Sequence, residues 1–386
     1  MTRTSRYDVA FYLPSIAPRL SMNANEHGGG AETQVMLLSR ALATRGLAVC
    51  LVVFDVPGAE IPISDDGPDI VIRPQYFAGG NIFGQMREVA AMRAALRGID
   101  ASVVVTRCAG FHVGLVGLWT KLARRRFVYS SASLRDFKYE SVLVKWTDRI
   151  GFRLGVALAD EIVVQTDEQV DLCERCFGRK PIVIRSVSEP AAQTDHHPEA
   201  FLWVGRVDAN KRPLEFVELA KSLPDARFWM VAIPPTAAEG ERLWRRIERA
   251  ARTLPNFELL PPRPRPELLD LAARAVAMVS TSEFEGMPNI FLEGWARGIP
   301  ALALNHDPDG VITGHGLGGF AQGRRDRLVE LARELWDRRA DRGESAARCR
   351  AYVLRNHSPE AVSDEWVRAL RPGDDRLRRP LVIEAG

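Results

Sequence analysis

Two glutamates, Glu285 and Glu293, lie on either side of a predicted helix start, where their carboxylates could accept hydrogen bonds from hydroxyl groups. The free amides at a helix N-terminus attract anions. Pro288 has no N–H, so the amide donors would come from Gly286, Met287, Asn289 and Ile290. Amides for an anion beside acceptors for hydroxyl groups suit a sugar phosphate or a nucleotide sugar. An ordinary capped helix with one solvated glutamate would contain the same residues. The two glutamates alone therefore do not distinguish a ligand site from a structural helix start.

The segment around these residues predicts a strand, a loop, a helix and a second strand. The apolar runs Val276–Val279 and Ala301–Leu304 are typical of buried parallel strands. Between them, Pro288 suits the first helical position and Gly298 the position just after the helix. Glu285 is expected in the loop before this helix, at the carboxyl end of a strand, where open α/β sheets bind their ligands.

Two cations, Arg206 and Lys211, occupy another predicted loop between a strand and a helix. The apolar run Phe201–Val204 predicts the strand, and Gly205 begins the loop. Arginine offers a planar fork of donors to phosphate oxygens, and lysine offers a compact charge. Isolated basic residues are more often solvated, so the meaning of this pair depends on the loop that holds it.

Three glycines, Gly28 to Gly30, follow the predicted strand Tyr7–Leu13 and precede a helix predicted from about Ala31 to Arg45. Glycines let the backbone approach a ligand closely and direct its amides toward it. A flexible turn would have the same sequence. With the next strand, Ala48–Phe54, this segment predicts the first half of a doubly wound domain.

Residues Ser282 to Pro300 follow the pattern S-x-F-E-G-x-P-N-x-x-L-E-x-x-A-x-G-x-P, which closely resembles the signature of the retaining nucleotide-sugar glycosyltransferases of family 4. The loop G-R-x-x-x-x-K-x-P from Gly205 and the segment G-G-x-E from Gly29 also resemble this family. The resemblance implies an α/β protein with the GT-B fold, two Rossmann-like doubly wound domains facing a central cleft. It also implies a UDP- or GDP-linked sugar as donor substrate, with no cofactor and no metal.

The resemblance assigns roles to the motif residues. Arg206 and Lys211 would bind the donor diphosphate, and Glu293 would bind the ribose hydroxyls. Glu285 and the amides after it would bind the transferred sugar. Arg206, Lys211 and Glu285 are therefore the catalytic candidates, since cations and amides can stabilise a leaving diphosphate without a metal.

On the acceptor side, Gly29 and Gly30 would face the donor phosphates and the acceptor across the cleft. The chain departs here from the family pattern. Many members have a histidine after the strand matched by Phe127–Ser130, whereas this chain has Ser-Ala-Ser followed by Asp136. Asp136 is the acceptor-side candidate, and no catalytic histidine is assigned. The usual Asn-Gly near the end of the first domain is replaced by Ile184–Val187.

The alternation of strands and helices divides the chain into two domains. Residues 1–190 predict the N-terminal, acceptor-side domain and residues 201–357 the C-terminal donor domain, with a linker at 191–200. By resemblance, a last helix at 358–371 packs back on the first domain, followed by a polar tail at 372–386. The net charge of +3 is too small to indicate a nucleic-acid partner.

Two features of the first domain concern a membrane partner. One is a basic cluster of four residues: Lys121, Arg124, Arg125 and Arg126. Its charges could interact with the dipole at a helix C-terminus or with an anionic membrane. A helix predicted over 141–158 has apolar residues at helical spacing, for which we expect core packing: Val142, Leu143, Trp146, Ile150 and Leu154. We expect a cytoplasmic protein, with peripheral contact to the inner membrane face as an alternative.

The sequence thus predicts a metal-independent, retaining glycosyltransferase acting on a glycan, lipid-linked or small-molecule acceptor. The resemblance implies bacterial polysaccharide or glycolipid biosynthesis as its setting. Two alternatives stay open. One is a nucleotide-sugar 2-epimerase on the same fold, which needs no acceptor, and the other is a non-catalytic nucleotide- or glycan-binding protein.

Overall fold

Two parallel β-sheets, each flanked by helices, make up the computed structural model. It describes residues 6–13, 29–54, 68–73, 82–139, 143, 145–192, 197–235 and 238–371. The predictions for the remaining residues, including Gly28, Val142 and the tail at 372–386, lie outside the described residues.

The first sheet contains seven parallel strands. Along the chain they are β1 Tyr7–Tyr12, β2 Val49–Phe54, β3 Asp69–Arg73, β4 Ala101–Arg107, β5 Arg126–Ser130, β6 Glu161–Val164 and β7 Ile182–Val183. Their order is β3-β2-β1-β4-β5-β6-β7. The winding direction reverses between β1 and β4, so the crevice at the carboxyl ends of these two strands is a topological switch point.

Five helices accompany this sheet in the described residues before the second sheet begins. They are α1 Gly30–Thr44, α2 Ile82–Arg97, α3 Phe111–Leu122, α4 Trp146–Leu158 and α5 Asp167–Phe177. A short 3₁₀ turn, Leu134–Asp136, follows β5.

The second sheet contains six parallel strands in the order β10-β9-β8-β11-β12-β13. They are β8 Ala200–Arg206, β9 Phe228–Ile233, β10 Phe257–Leu260, β11 Ala275–Ser280, β12 Ala301–Ala303 and β13 Gly318–Phe320. Its helices are α6 Pro213–Ser222, α7 Ala238–Thr253, α8 Arg265–Ala273, α9 Asn289–Ala296, α10 Val311–Gly314, α11 Arg325–Asp337 and α12 Gly343–His357. The switch point of this sheet lies between β8 and β11.

The last helix, α13 (Pro359–Leu370), returns to the first sheet. Ser358 caps it, since its hydroxyl accepts a hydrogen bond from the Ala361 amide at 3.2 Å. Trp366 is buried in the core of the first domain, and its ring meets that of Phe11 edge-on at 6.3 Å between centroids. The helix therefore completes the core between α1 and the first sheet.

The prediction of two doubly wound α/β domains is confirmed. The sequence analysis did not identify α7, β13 or α12. The helix predicted over 141–158 begins at Trp146 in the described residues.

The prediction of core packing for the apolar face of α4 is wrong. The side chains of Trp146, Ile150 and Leu154 are exposed, with 70%, 56% and 46% of their surface accessible. The face that packs against α3 is lined instead by Gly151 and Gly155, where a Cβ would collide with the α3 backbone or with Phe111 and Val113 side chains. Close approach of the two helices thus selects the glycine face and leaves the bulky apolar face in solvent.

His357, at the junction of α12 and α13, is fully buried and bonds through Nδ1 to the Ser186 carbonyl oxygen at 2.7 Å. Burial lowers its pKa from 6.5 to about 4. Between these values the unfolded chain binds a proton that the folded chain does not, so stability falls as the pH decreases through this window.

We expect His357→Gln to remove this acid sensitivity. Urea unfolding at pH 7.5 and pH 5 should show the parent losing about 2 kcal/mol more than the variant. Burial also lowers the pKa of His112, which therefore contributes equally to both proteins. Equal losses in parent and variant would contradict the prediction.

Candidate active site

The ion pair between Lys211 and Glu285 lies at the switch point of the second sheet. Lys211 follows β8 and Glu285 follows β11, so the parallel topology brings together two loops distant in sequence. The lysine loop is fixed through its backbone. The Lys211 amide donates to Asp208 Oδ1 at 2.9 Å, and its carbonyl accepts from the Thr281 hydroxyl at 2.7 Å. The predicted catalytic pair is therefore held in one place.

Arg206 is the last residue of β8, and its side chain is exposed. No ion pair engages it in the described part of the chain. It lies close enough to Cys108, on the first domain, to act electrostatically on that thiol. Arg206 thus presents an available cation to the cleft. Gly205, before it, packs on Trp203, since an added Cβ would lie 3.1 Å from the indole ring.

Helix α9 begins at Asn289, and Pro288 is its N-cap residue. The prediction that Pro288 is the first helical residue therefore starts the helix one residue too early. The amides of Phe291 and Leu292 donate to the Pro288 carbonyl at 3.0 and 3.4 Å. The amides of Asn289 and Ile290 precede these bonds and belong to the part of a helix that can bind an anion.

The loop before α9 lies against the first domain. A Cβ at Gly286 would lie 3.2 Å from Gln169 Nε2 and 3.3 Å from Gln165 Oε1. The Met287 side chain is buried in the core of the second domain, so only its backbone could face a ligand. The predicted donor residues of this loop therefore line the floor of the cleft.

The Asn289 side chain joins the two domains. Its Nδ2 donates to the Gly30 carbonyl oxygen at 2.9 Å, and its Oδ1 accepts from Gln34 Nε2 at 3.0 Å. A Cβ at Gly30 would lie 2.9 Å from the same amide, so this glycine permits the contact. Gln34 Nε2 also donates to the Val187 carbonyl oxygen, and Gln34 Oε1 accepts a hydrogen bond from the Val187 amide. The sequence analysis assigned Asn289 and Gly30 to the ligand and missed their mutual contact.

Glu293 forms an ion pair with Arg265, whose Nη2 lies 3.2 Å from Glu293 Oε1. Arg265 also pairs with Glu189 at 3.1 Å. Both Glu293 and Arg265 are mostly buried, and Arg297 donates to the Glu293 carbonyl oxygen at 3.0 Å. The sequence analysis did not identify Arg265 as the partner of Glu293, because the two residues are 28 positions apart and lie on different helices.

Asp136 is buried and accepts four hydrogen bonds. Its Oδ2 accepts from Ala132 N at 2.7 Å, Tyr129 Oη at 2.9 Å and Ser131 Oγ at 3.2 Å, and its Oδ1 accepts from Ala109 N at 3.2 Å. Burial, followed by the charge of Asp136, raises the pKa of Tyr129. The carboxylate therefore orders the loops after β4 and β5. A direct role on the acceptor side stays a prediction.

Gly29 is the N-cap of α1, and a Cβ there would lie 2.7 Å from Glu32 Oε2. The glycine loop thus has Glu32 folded back over it. In the described residues, no group of three His, Cys, Asp or Glu side chains has the arrangement of a metal site. No described helix is both long and apolar enough to cross a bilayer.

Comparison with known proteins agrees with this architecture. Residues 29–188 match the family model of the glycosyl transferase 4-like domain. No curated protein sequence matches the chain. Among solved structures, sucrose-phosphate synthase from Thermosynechococcus elongatus is similar with a TM-score of 0.76 and 16% identity, over 94% of this chain and 98% of that chain.

HepE from Anabaena, in a complex with UDP and glucose, is similar with a TM-score of 0.73 and 15% identity, over 94% of this chain and 99% of that chain. TarM from S. aureus, in a complex containing UDP, gives a TM-score of 0.73 and 10% identity, over 95% and 100% of the two chains. The fold is GT-B. With the glycosyl transferase 4-like match, it identifies the chain as a glycosyltransferase.

The Arg265–Glu293 pair yields a test of the nucleotide side of the site. If Glu293 binds the donor ribose, Arg265 positions its carboxylate, so Arg265→Ala should raise the donor KM by roughly 10-fold with a smaller effect on kcat. Arg263→Ala is the matched control, because the ion pair of Arg263 among the described residues is with the neighbouring Glu267, at 3.1 Å. Steady-state kinetics over donor concentration measure both. Equal KM values for the two variants would contradict the assignment.

Proposed function

We propose that this glycosyltransferase moves a sugar from a UDP- or GDP-linked donor to a glycan, lipid-linked or small-molecule acceptor, with retention and without a metal. The observation that carries the proposal is the Lys211–Glu285 pair, held at the switch point of the second sheet beside the start of α9. Open α/β sheets bind their ligands at such points. HepE and TarM, which share this fold, form complexes that contain UDP, and this supports a nucleotide ligand for the chain.

The donor diphosphate is assigned to Arg206, Lys211 and the amides at the start of α9. Arg206 is exposed toward the cleft, and the pairing of Lys211 with Glu285 keeps its ammonium there. As the anomeric bond breaks, negative charge accumulates on the leaving diphosphate. Fixed cations and amides stabilise this charge without having to reorganise.

The transferred sugar is assigned to Glu285 and the Gly286 loop. The sugar acquires oxocarbenium character as the bond breaks, as in glycoside hydrolysis. A carboxylate that accepts hydrogen bonds from the sugar hydroxyls orients the ring for this step. The ribose is assigned to Glu293, which lies one turn after the start of α9 and pairs with Arg265. The first domain supplies the acceptor side, with the Asp136-ordered loops and the start of α1.

The donor assignment is tested by thermal unfolding with a panel of nucleotide sugars, followed by product analysis. A donor that binds the native state raises the unfolding midpoint by mass action. Product formed only with an acceptor supports transfer, whereas an altered sugar nucleotide formed from donor alone supports the epimerase. Donor binding with no product under any condition would favour a binding protein.

Substitution of the cations should affect the chemical step. We expect Arg206→Ala and Lys211→Ala each to lower kcat by roughly 10²–10³, the scale for loss of one preorganised group. Turnover should persist in excess EDTA, because these cations replace a metal in the proposal. Lys221→Ala is the control, since Lys221 pairs with Glu218 on the exposed face of α6. A Lys211→Ala enzyme with parental kcat, or EDTA inhibition reversed by manganese or magnesium, would contradict the mechanism.

We also propose peripheral contact with an anionic membrane, as one setting in bacterial polysaccharide or glycolipid biosynthesis. The basic cluster is largely neutralised within the chain. Lys121 pairs with Asp160, Arg125 with Asp100 at 3.4 Å, and Arg126 with Glu161 at 3.6 Å. The stronger feature is the α3–α4 surface, whose exposed apolar residues are Phe111, Leu118, Leu122, Trp146, Ile150 and Leu154. Apolar side chains beside cations are typical of surfaces that bind membranes.

Vesicle co-sedimentation separates the contribution of the apolar surface from that of the basic cluster. Replacement of Trp146, Ile150 and Leu154 by serine should abolish binding to phosphatidylserine vesicles at low salt. Replacement of the four basic residues by glutamine should weaken it less. Leu354→Ser, which removes another exposed apolar side chain, is the control. Parental binding by the triple serine variant would contradict the proposed surface.

A further inference from the structure

Arg107, the last residue of β4, is a buried cation that no described function uses. Only 7% of its surface is exposed. Among the described residues, its Nε has no hydrogen-bond partner, and its Nη1 makes one long bond, 3.5 Å, to the Ser130 hydroxyl. The described part of the chain also contains no ion pair with Arg107. A buried charge without a partner destabilises a protein, so its retention calls for an explanation.

The position of Arg107 is that of a ligand site. It ends β4, which lies next to β1 at the switch point of the first sheet. Ser130 ends β5 directly opposite in the strand register, so the two side chains share one edge of the sheet. Ligands bind in the crevice at this edge in open α/β sheets. The cavity beside Arg107 is lined by Gln34, whose side chain bonds to Asn289 of the second domain, so it lies next to the contact between the domains.

The surroundings of Arg107 favour an anion. A narrow, partly open cavity beside it is lined by neutral side chains and by two charged ones, Arg107 and Arg185. No carboxylate lines this cavity in the described part of the chain. Two carboxylates act on the Arg107 charge, and neither lines the cavity: Glu32 at the start of α1, and Asp136, whose two oxygens already accept four hydrogen bonds. The cavity therefore has donors and positive charge without the matching acceptor.

We propose that Arg107, with the Ser130 hydroxyl, binds an anionic oxygen group of the acceptor, a carboxylate or a phosphate. The inference rests on the proposed glycosyltransferase function and specifies its acceptor class. A guanidinium can donate two parallel hydrogen bonds to either group. The cavity has room for about one water-sized group, so a single oxygen of the anion would enter it while the rest of the acceptor extends into the cleft. Gln34 lines the same cavity and bonds to Asn289, so domain contact fixes one wall of the subsite.

Binding of simple anions to the full-length protein gives the first test. With the donor site saturated by UDP or GDP, sodium phosphate or sodium acetate should raise the unfolding midpoint of the parent at constant ionic strength. The increase should persist in Arg97→Gln, which removes an exposed arginine at the end of α2 in the same domain, and should be absent in Arg107→Gln. An equal increase in Arg107→Gln, or none in the parent, would overturn the subsite.

The change in unfolding midpoint caused by UDP or GDP alone is measured separately. A parent protein stabilised by UDP or GDP but not by either anion would overturn this inference alone. A parent that no nucleotide stabilises would count against the proposed function. Without any anion, Arg107→Met should raise the unfolding midpoint, because it removes an unpaired buried charge and keeps an apolar chain of similar length. A lower midpoint would show a structural arginine and overturn the inference.

Acceptor kinetics identify the anion. Matched neutral, phosphorylated and uronic-acid forms of one sugar are compared by release of the nucleoside diphosphate. In the parent, one charged form should have the lowest KM, which distinguishes phosphate from carboxylate. Arg107→Gln should raise that KM by roughly 10–100-fold, the scale of a charge-assisted hydrogen bond, and leave the neutral form unchanged. Arg107→Lys should restore part of the preference. A KM for the charged form that does not change in Arg107→Gln would overturn the proposal.

Discussion

The hydrogen-bonded contact between the start of α9 and the start of α1 sets the geometry of the cleft. Asn289 reaches the Gly30 carbonyl and Gln34, and the absence of a side chain at Gly30 permits this approach. Each helix begins at the carboxyl edge of its own sheet. Their contact therefore brings the two switch points face to face, and the charged residues of both domains share one crevice as a consequence.

The charges of this crevice are unevenly paired. Both donor-side carboxylates have a cation: Glu285 pairs with Lys211, and Glu293 pairs with Arg265. Pairing lets a partly buried carboxylate remain ionised without an uncompensated charge. Arg206 has no such partner in the described residues, so its positive charge is left unbalanced by these pairs. A diphosphate supplies the negative charge that would balance it.

The sequence predicted the features that local pattern determines. Apolar runs identify parallel strands, and the motif around Glu285 identifies a loop and a helix start. Residue pairs distant in sequence could not be predicted, because spacing carries no information about which loops meet. The Arg265–Glu293 pair and the isolation of Arg107 both depend on the assembled sheets. The periodicity of apolar residues also gave a wrong prediction for α4. It identifies the apolar face of a helix, but it does not show whether another face, such as the glycine face around Gly151, packs on the protein instead.

The return of α13 to the first sheet has a consequence for biosynthesis. The ribosome makes this helix after the whole second domain, yet Val362 and Trp366 belong to the core of the first domain. Until they emerge, Phe11 and the inner face of α1 lack the side chains that cover them in the finished protein. The first domain therefore cannot complete its core during translation of the second. Its final folding step has to wait until the domain that follows it in the chain has been made.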